Sequence, residues 1–287
     1  VIRLDAATVL LQWATGGLLF LWVTSRRREV GIGYGWLLRA VYGVLALAAA
    51  GVGAAVEPVA LREASSAGVA LAAAGALGVS IARRKAGVAG ERARGERKAA
   101  RVASMAGQAR PQPDASSPPT ASVPEFPPSL DLVAPVIGAV GLVAAGMAAG
   151  GPHVLAVART LAGAVFLGAV SDAMLLGHWY LVQPGLGRGP LVELNRWLAV
   201  TWPLEVGLLL WPTGMLSVLS GSVDDGWGGT LGWFWVACAV TTLALTAVTR
   251  AALRERAYSA VMAATGLLYL AILTAFGTDL VARAVLA

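Results

Sequence analysis

The chain has 287 residues, of which 57% are hydrophobic and only 13% charged, with a formal charge of +6. That balance excludes an ordinary water-soluble domain. The positive charge falls in short clusters beside apolar stretches, not along one basic face with interleaved aromatic side chains, so no nucleic-acid partner is expected.

Lipid is therefore the expected solvent of the fold, and membrane lipids its first partner. A helix needs about 20 apolar residues to cross about 30 Å of hydrocarbon, and a lipid-facing backbone must satisfy its own hydrogen bonds. This predicts an all-α, polytopic transmembrane helix bundle of about eight spans. In chain order they cover residues 4–24, 36–56, 64–82, 130–150, 154–182, 197–219, 231–249 and 257–276. The first ends in Arg26-Arg27-Arg28 with no small-residue cleavage site and reads as a retained helix, not a signal peptide. The third is rich in Ala and Gly and is the weakest of the eight.

Eighteen of the 22 Lys and Arg residues fall in alternate loops: around 26–39, 83–110, 188–196 and 250–256. The positive-inside rule puts those loops in the cytoplasm and both termini outside. The chain divides into a three-helix part (1–82), a cytoplasmic linker (83–129) and a five-helix part (130–287). The linker begins basic and ends Pro-rich, and such a composition cannot bury enough apolar surface to fold alone.

Ionisable groups inside spans are expensive and are functional-site candidates by default. Asp172 in the fifth span and Glu205 in the sixth are expected at matching depth in the cytoplasmic half. His178, Trp179, Tyr180 and Trp202 surround that level, and together these six residues form a candidate proton- or ligand-binding site with aromatic walls suited to a quinone-like molecule. The plainer reading makes the aromatic residues an interfacial belt and His178 a partner of a neighbouring helix. Toward the other end, Arg159 and Asp279 are expected to form a structural ion pair. Arg188, within Gly185-Leu-Gly-Arg-Gly189-Pro190, and Arg196, beyond it, are candidates for a lipid headgroup. Pro203 is expected to kink the sixth helix beside Glu205.

Cys238 is the sole cysteine, and no cluster with metal-ligand spacing occurs, so no metal site is expected. His153 and His178 lie 25 residues apart on one predicted helix, about 37 Å, which excludes bis-histidine haem ligation within one chain. The sequence specifies no cofactor. No nucleophile and base stand at recognisable spacing, so the chain is not expected to be catalytic on its own. Three readings remain. The first is a membrane subunit of an energy-transducing or redox assembly, handling protons or a quinone-like ligand alongside other membrane subunits. The second is an ion- or proton-coupled transporter, and the third a membrane scaffold or assembly factor.

Overall fold

The computed structural model of the chain describes residues 4–84, 125–183, 186–212, 214–255 and 257–287. Most of the predicted linker lies outside them. The described residues form nine helices and no strand: α1 (Ala6–Ser25), α2 (Ile32–Val56), α3 (Ala60–Ala82), α4 (Val133–Ala148), α5 (His153–Val182), α6 (Gly189–Leu210), α7 (Met215–Leu219), α8 (Thr230–Ala252) and α9 (Tyr258–Val285). A 3-10 turn, Pro128–Leu132, leads into α4. Seven helices are long and apolar enough to cross a membrane: α1, α2, α3, α4 with its 3-10 turn, α5, α8 and α9. The fold is thus the predicted all-α bundle. The remaining long helix, α6, has 22 residues and carries Glu193, Arg196 and Glu205.

Helix ends explain where the polar groups fall. Asp5 caps α1, its carboxylate accepting from the N–H groups of Ala7 and Thr8 at 3.1 Å each. The sixth span begins and ends eight or nine residues earlier than predicted. Pro190 fits the first turn of a helix, where its missing N–H costs nothing, so α6 starts at Gly189. At the other end Trp211, preceding Pro212, is extended (φ −120°, ψ 150°), which closes the helix at Leu210. The helix continues through Pro203.

The two parts of the chain share one core. In α1 and α5, 67% of the apolar window is buried, against 33% in α2, α3, α8 and α9, so α1 and α5 form the centre and the others face lipid. Glycine lets the central pair touch: a Cβ on Gly16 would lie 1.8 Å from the Ala164 carbonyl oxygen, and one on Gly168 would lie 2.2 Å from the Gly16 carbonyl carbon. Leu11, Leu18, Leu38, Phe166, Leu198 and Leu268, from five helices, meet in the same apolar cluster.

Buried polar ties cross between the parts. Arg39 of α2 grips Asp131 of the 3-10 turn with two hydrogen bonds, from Nε to Oδ1 and from Nη2 to Oδ2, both 2.8 Å. Ser25 donates to the same carboxylate at 3.0 Å, and the Phe126 ring covers the guanidinium at 4.4 Å. At α1, Gln12 Nε2 donates to the Thr160 carbonyl (2.7 Å) and the Trp13 indole N–H to Ser171 Oγ (2.8 Å).

The Arg39–Asp131 bond should govern stability through its desolvation. Arg39→Met leaves a buried carboxylate without its cation, which costs about 3–5 kcal/mol. Arg39→Lys, which keeps the charge but loses the two-pronged geometry, should fall between that variant and wild type in thermal unfolding in detergent. Equal melting of all three would show that Asp131 does not depend on Arg39.

A second expectation concerns the loop before α8. Asp225 Oδ1 accepts from the N–H groups of Trp227 (2.9 Å) and Gly229 (2.8 Å), and Oδ2 from those of Leu231 (2.8 Å) and Gly232 (3.3 Å). Slight desolvation opposes ionisation, but the four backbone donors together hold this carboxyl below the usual carboxylate range. A lowered folded-state value means stability fully present above the unfolded-state value, about pH 4, and lost as pH falls through the lower folded value. Asp225→Ala should therefore melt below wild type at neutral pH, with the gap closing on acidification through that range. A gap that persists or widens in acid contradicts the assignment.

Candidate functional site

Asp172 sits ten residues before the end of α5, completely buried. Its surroundings come from α1 and α2. Tyr42 donates its hydroxyl to Oδ1 at 2.5 Å, Tyr34 donates to the Asp172 backbone carbonyl at 3.3 Å, and Oδ2 has no donor. Next to it, Ser171 receives the Trp13 indole. The pair Asp172–Tyr42 thus joins α5 to α2 by a carboxyl and a phenol with one carboxyl oxygen to spare.

Glu205 lies elsewhere. Because α6 ends at Leu210, this residue stands five positions from the end opposite the Arg-rich turns, and it does not meet Asp172. It joins a second polar group at the far end of α5. Asp279 and Arg283, one turn apart on α9, are bonded to each other, Arg283 Nε donating to Asp279 Oδ2 at 2.7 Å. The Glu205 carboxyl is in hydrogen-bonding range of Asp279 and feels the charges of Arg283 and Arg159. All four side chains are buried, none more than 1% exposed. Two guanidiniums and two carboxylates balance in charge, which lowers the cost of placing them in a dry interior.

Hydrogen-bond pairing is nevertheless incomplete among the described residues, and Arg159 Nη1 has no acceptor. Both oxygens of Glu205, Oδ1 of Asp279 and Oε1 of Gln12 have no donor. Gly163 of α5 makes room: a Cβ there would fall 2.6 Å from Gln12 Nε2 and 2.8 Å from Asp279 Oδ1. A cavity of about 20 Å³, lined by Asp5, Thr8, Glu57, Arg62, Thr160 and Arg283 among others, reaches this group from the nearer end of the bundle. That volume suffices for a water molecule.

Arg159 does not pair with Asp279 as the sequence reading expected. Its Nε donates to the Leu208 carbonyl (2.8 Å) and its Nη2 to that of Trp211 (3.4 Å). These are carbonyls at the C-terminus of α6, where a helix lacks internal partners and its dipole favours a cation. Asp279 instead finds Arg283 within its own helix.

The aromatic wall is also dispersed. Trp179 lies 5.8 Å from the Tyr34 ring and donates to Gln183 Oε1 at 3.1 Å. Tyr180 donates to the Gly187 carbonyl (2.6 Å), and Trp202 to the Ala239 carbonyl on α8 (2.9 Å). His178 is exposed, with Nδ1 3.1 Å from the Tyr269 hydroxyl, the neighbouring-helix contact of the plainer reading. Arg188 turns toward the α8–α9 connection, donating to the carbonyls of Glu255 and Ala257. Arg196 is exposed on α6.

Sequence reasoning missed Tyr42, Gln12, Asp131 and Arg283. Arg283 carried a usable signal, because Asp279 and Arg283 stand at i and i+4 in a helix that runs nine residues past the predicted limit. Gln12 sits mid-span and deserved the same default suspicion as a charge. Nothing along the sequence marks Tyr42 as the partner of Asp172.

Comparisons with protein families, curated proteins and solved structures give no match. Fold and site together define a multi-pass helical membrane protein with polar centres buried around Asp172 and around Glu205. No group of three or more His, Cys, Asp or Glu side chains able to hold a metal ion occurs among the described residues.

Tyr42→Phe removes the hydroxyl that donates to Asp172 Oδ1 and should destabilise the bundle by about 1–3 kcal/mol. Asp172→Leu added to Tyr42→Phe should recover most of that loss, because the orphaned acceptor is gone. A double variant that melts no higher than the single one would separate the two residues energetically.

Proposed function

We propose that this chain is a proton-handling membrane subunit of an energy-transducing assembly, with the carboxyl pair Glu205–Asp279 as its proton site and Arg159 and Arg283 as the neighbouring cations. One observation carries the reading: a fully buried glutamate, with no donor to either oxygen among the described residues, faces a second carboxyl beside two guanidiniums. A carboxyl pair that shares a proton can release it when the neighbouring cations are drawn closer, and take one up when they withdraw. Access is by way of the small cavity at Arg283, through Asp5, Thr8 and Arg62.

Burial acts first on the protonation of Glu205, and the groups that face it, Asp279 and Arg283 from α9 and Arg159 from α5, act with it. The positive-inside rule puts the Arg-rich turns in the cytoplasm, and hence this centre nearer the outer surface, opposite to the inner site expected from the sequence. The scattering of Trp179, Tyr180 and Trp202 onto separate partners weakens the quinone-like alternative. A proton-coupled transporter remains the second reading, favoured by the same carboxyl pair; it would also need an access path from the Arg-rich end.

Difference infrared spectroscopy of the purified, lipid-reconstituted protein reads protonated buried carboxyls directly. Wild type should show such a band, Glu205→Gln and Asp279→Asn should each abolish it, and Asp172→Asn should leave it. Persistence in both variants, with their folding confirmed by circular dichroism, removes the proton site. Mass spectrometry of natively purified complexes separates subunit from transporter, since the first requires stoichiometric protein partners.

A further inference from the structure

The start of α6 lies beside the α1–α2 turn and leaves a groove of about 500 Å³ lined by Arg27, Val192, Glu193, Arg196, Trp197 and Val200, with Gly189 at its head. This groove is at the Arg-rich end, remote from Glu205, and nothing said of the proton site bears on it.

Its walls have two characters. Glu193 binds both Arg26 and Arg27, the latter through Nη1 to Oε2 at 3.3 Å, so one carboxylate is set against two guanidiniums. Arg196, three residues on, has no ion-pair partner among the described residues. Glu29 adds a second carboxylate at the head of the groove, near Gly189, and Arg26, Arg27 and Arg196 against these two still leave the local charge net positive, to which the positive end of the α6 dipole adds. The apolar part is a stripe. Val192, Arg196 and Val200 recur every four residues on one face of α6, and the two valines are 45% and 57% exposed. Trp197, held edge-on against Phe20 at 5.9 Å, forms a rigid side wall.

Helical side chains lean toward the N-terminus, which here is the membrane surface, so the Arg196 stem covers apolar area while its head reaches the level of Arg27. A cationic rim above an apolar stripe, flanked by an interfacial tryptophan, matches an amphiphile with an anionic head and an acyl tail. The basic stretch that follows α3 has the same sign of charge and is not its complement. We propose that this groove is a binding site for one anionic phospholipid, with the phosphodiester between Arg27 and Arg196 and an acyl chain along Val200 and Trp197.

Native mass spectrometry of detergent-solubilised protein titrated with phosphatidylglycerol or phosphatidylcholine tests it. Wild type should retain phosphatidylglycerol in preference to phosphatidylcholine. Arg27→Gln and Arg196→Gln should each weaken phosphatidylglycerol retention roughly fivefold, and the double variant more. Arg196→Lys should keep most of the affinity, and Arg254→Gln, an exposed arginine at the same end of the bundle, should change nothing. Thermal stability should be unaltered in Arg196→Gln, because no described ion pair is broken. Equal retention of the two lipids overturns the proposal, as does an Arg254→Gln loss equal to that of Arg196→Gln, which would reduce the effect to general surface attraction.

Discussion

A charge inside this bundle has no water to turn to, and that single constraint organises the structure. Each buried arginine must find a carboxylate or a row of carbonyls, within its own helix or in another, at a cost of several kcal/mol if it fails. At the Arg-rich end the demand is met by Arg39 and Asp131, which fix the 3-10 turn ahead of α4 against α2. At the opposite end Arg159 ties α5 to the last carbonyls of α6, and Arg283 with Asp279 stations α9 beside Glu205. Glycine then sets the distances. The close approach of Gly16 and Gly168 brings α1 against α5, and the space at Gly163 admits Gln12 and Asp279 to the same pocket of polarity.

Hydropathy was enough to recover the class of fold, because lipid imposes helices of a minimum length on any chain so apolar. Helix ends were harder, and the error at α6 shows why they matter. Taking the sixth span as 197–219 put Glu205 in the Arg-rich half, level with Asp172. The real limits are set by Pro190 in the first turn and by Pro212 after the last, two local backbone effects that a hydropathy window does not register. Moving the helix by eight residues, about 12 Å of rise, sends Glu205 to the other centre.

Counting charges by loop hid a second part of the site. Arg39 belongs to the Arg-rich group by position and Arg283 was an exception to it, but both lie inside helices and serve as counter-ions. The positive-inside rule weighs arginines as topology signals and is blind to the few that packing recruits. Tyr42 was beyond reach for another reason: a tyrosine on an apolar helix is ordinary, and its bond to Asp172 depends on how α2 and α5 rotate against each other.

Rotation along α5 also keeps the two centres apart. Asp172 follows Arg159 by thirteen positions, about 20 Å of rise and a net turn of about 220° around the axis of α5. Arg159 accordingly faces α6, whose carbonyls it binds, and Asp172 faces α2, whose Tyr42 binds it. A helix at the centre of a bundle has neighbours on all sides, and α5 uses polar groups at both ends to hold different ones. The oxygens that lack donors cluster mainly at one of these, around Glu205, Asp279 and Gln12, while Asp172 has one spare oxygen beside a short phenol bond. A polar group kept for packing is usually satisfied, and one kept for exchange need not be. By that measure Asp172 with Tyr42 is the better satisfied of the two, and the Glu205 centre is the one proposed to change its protonation.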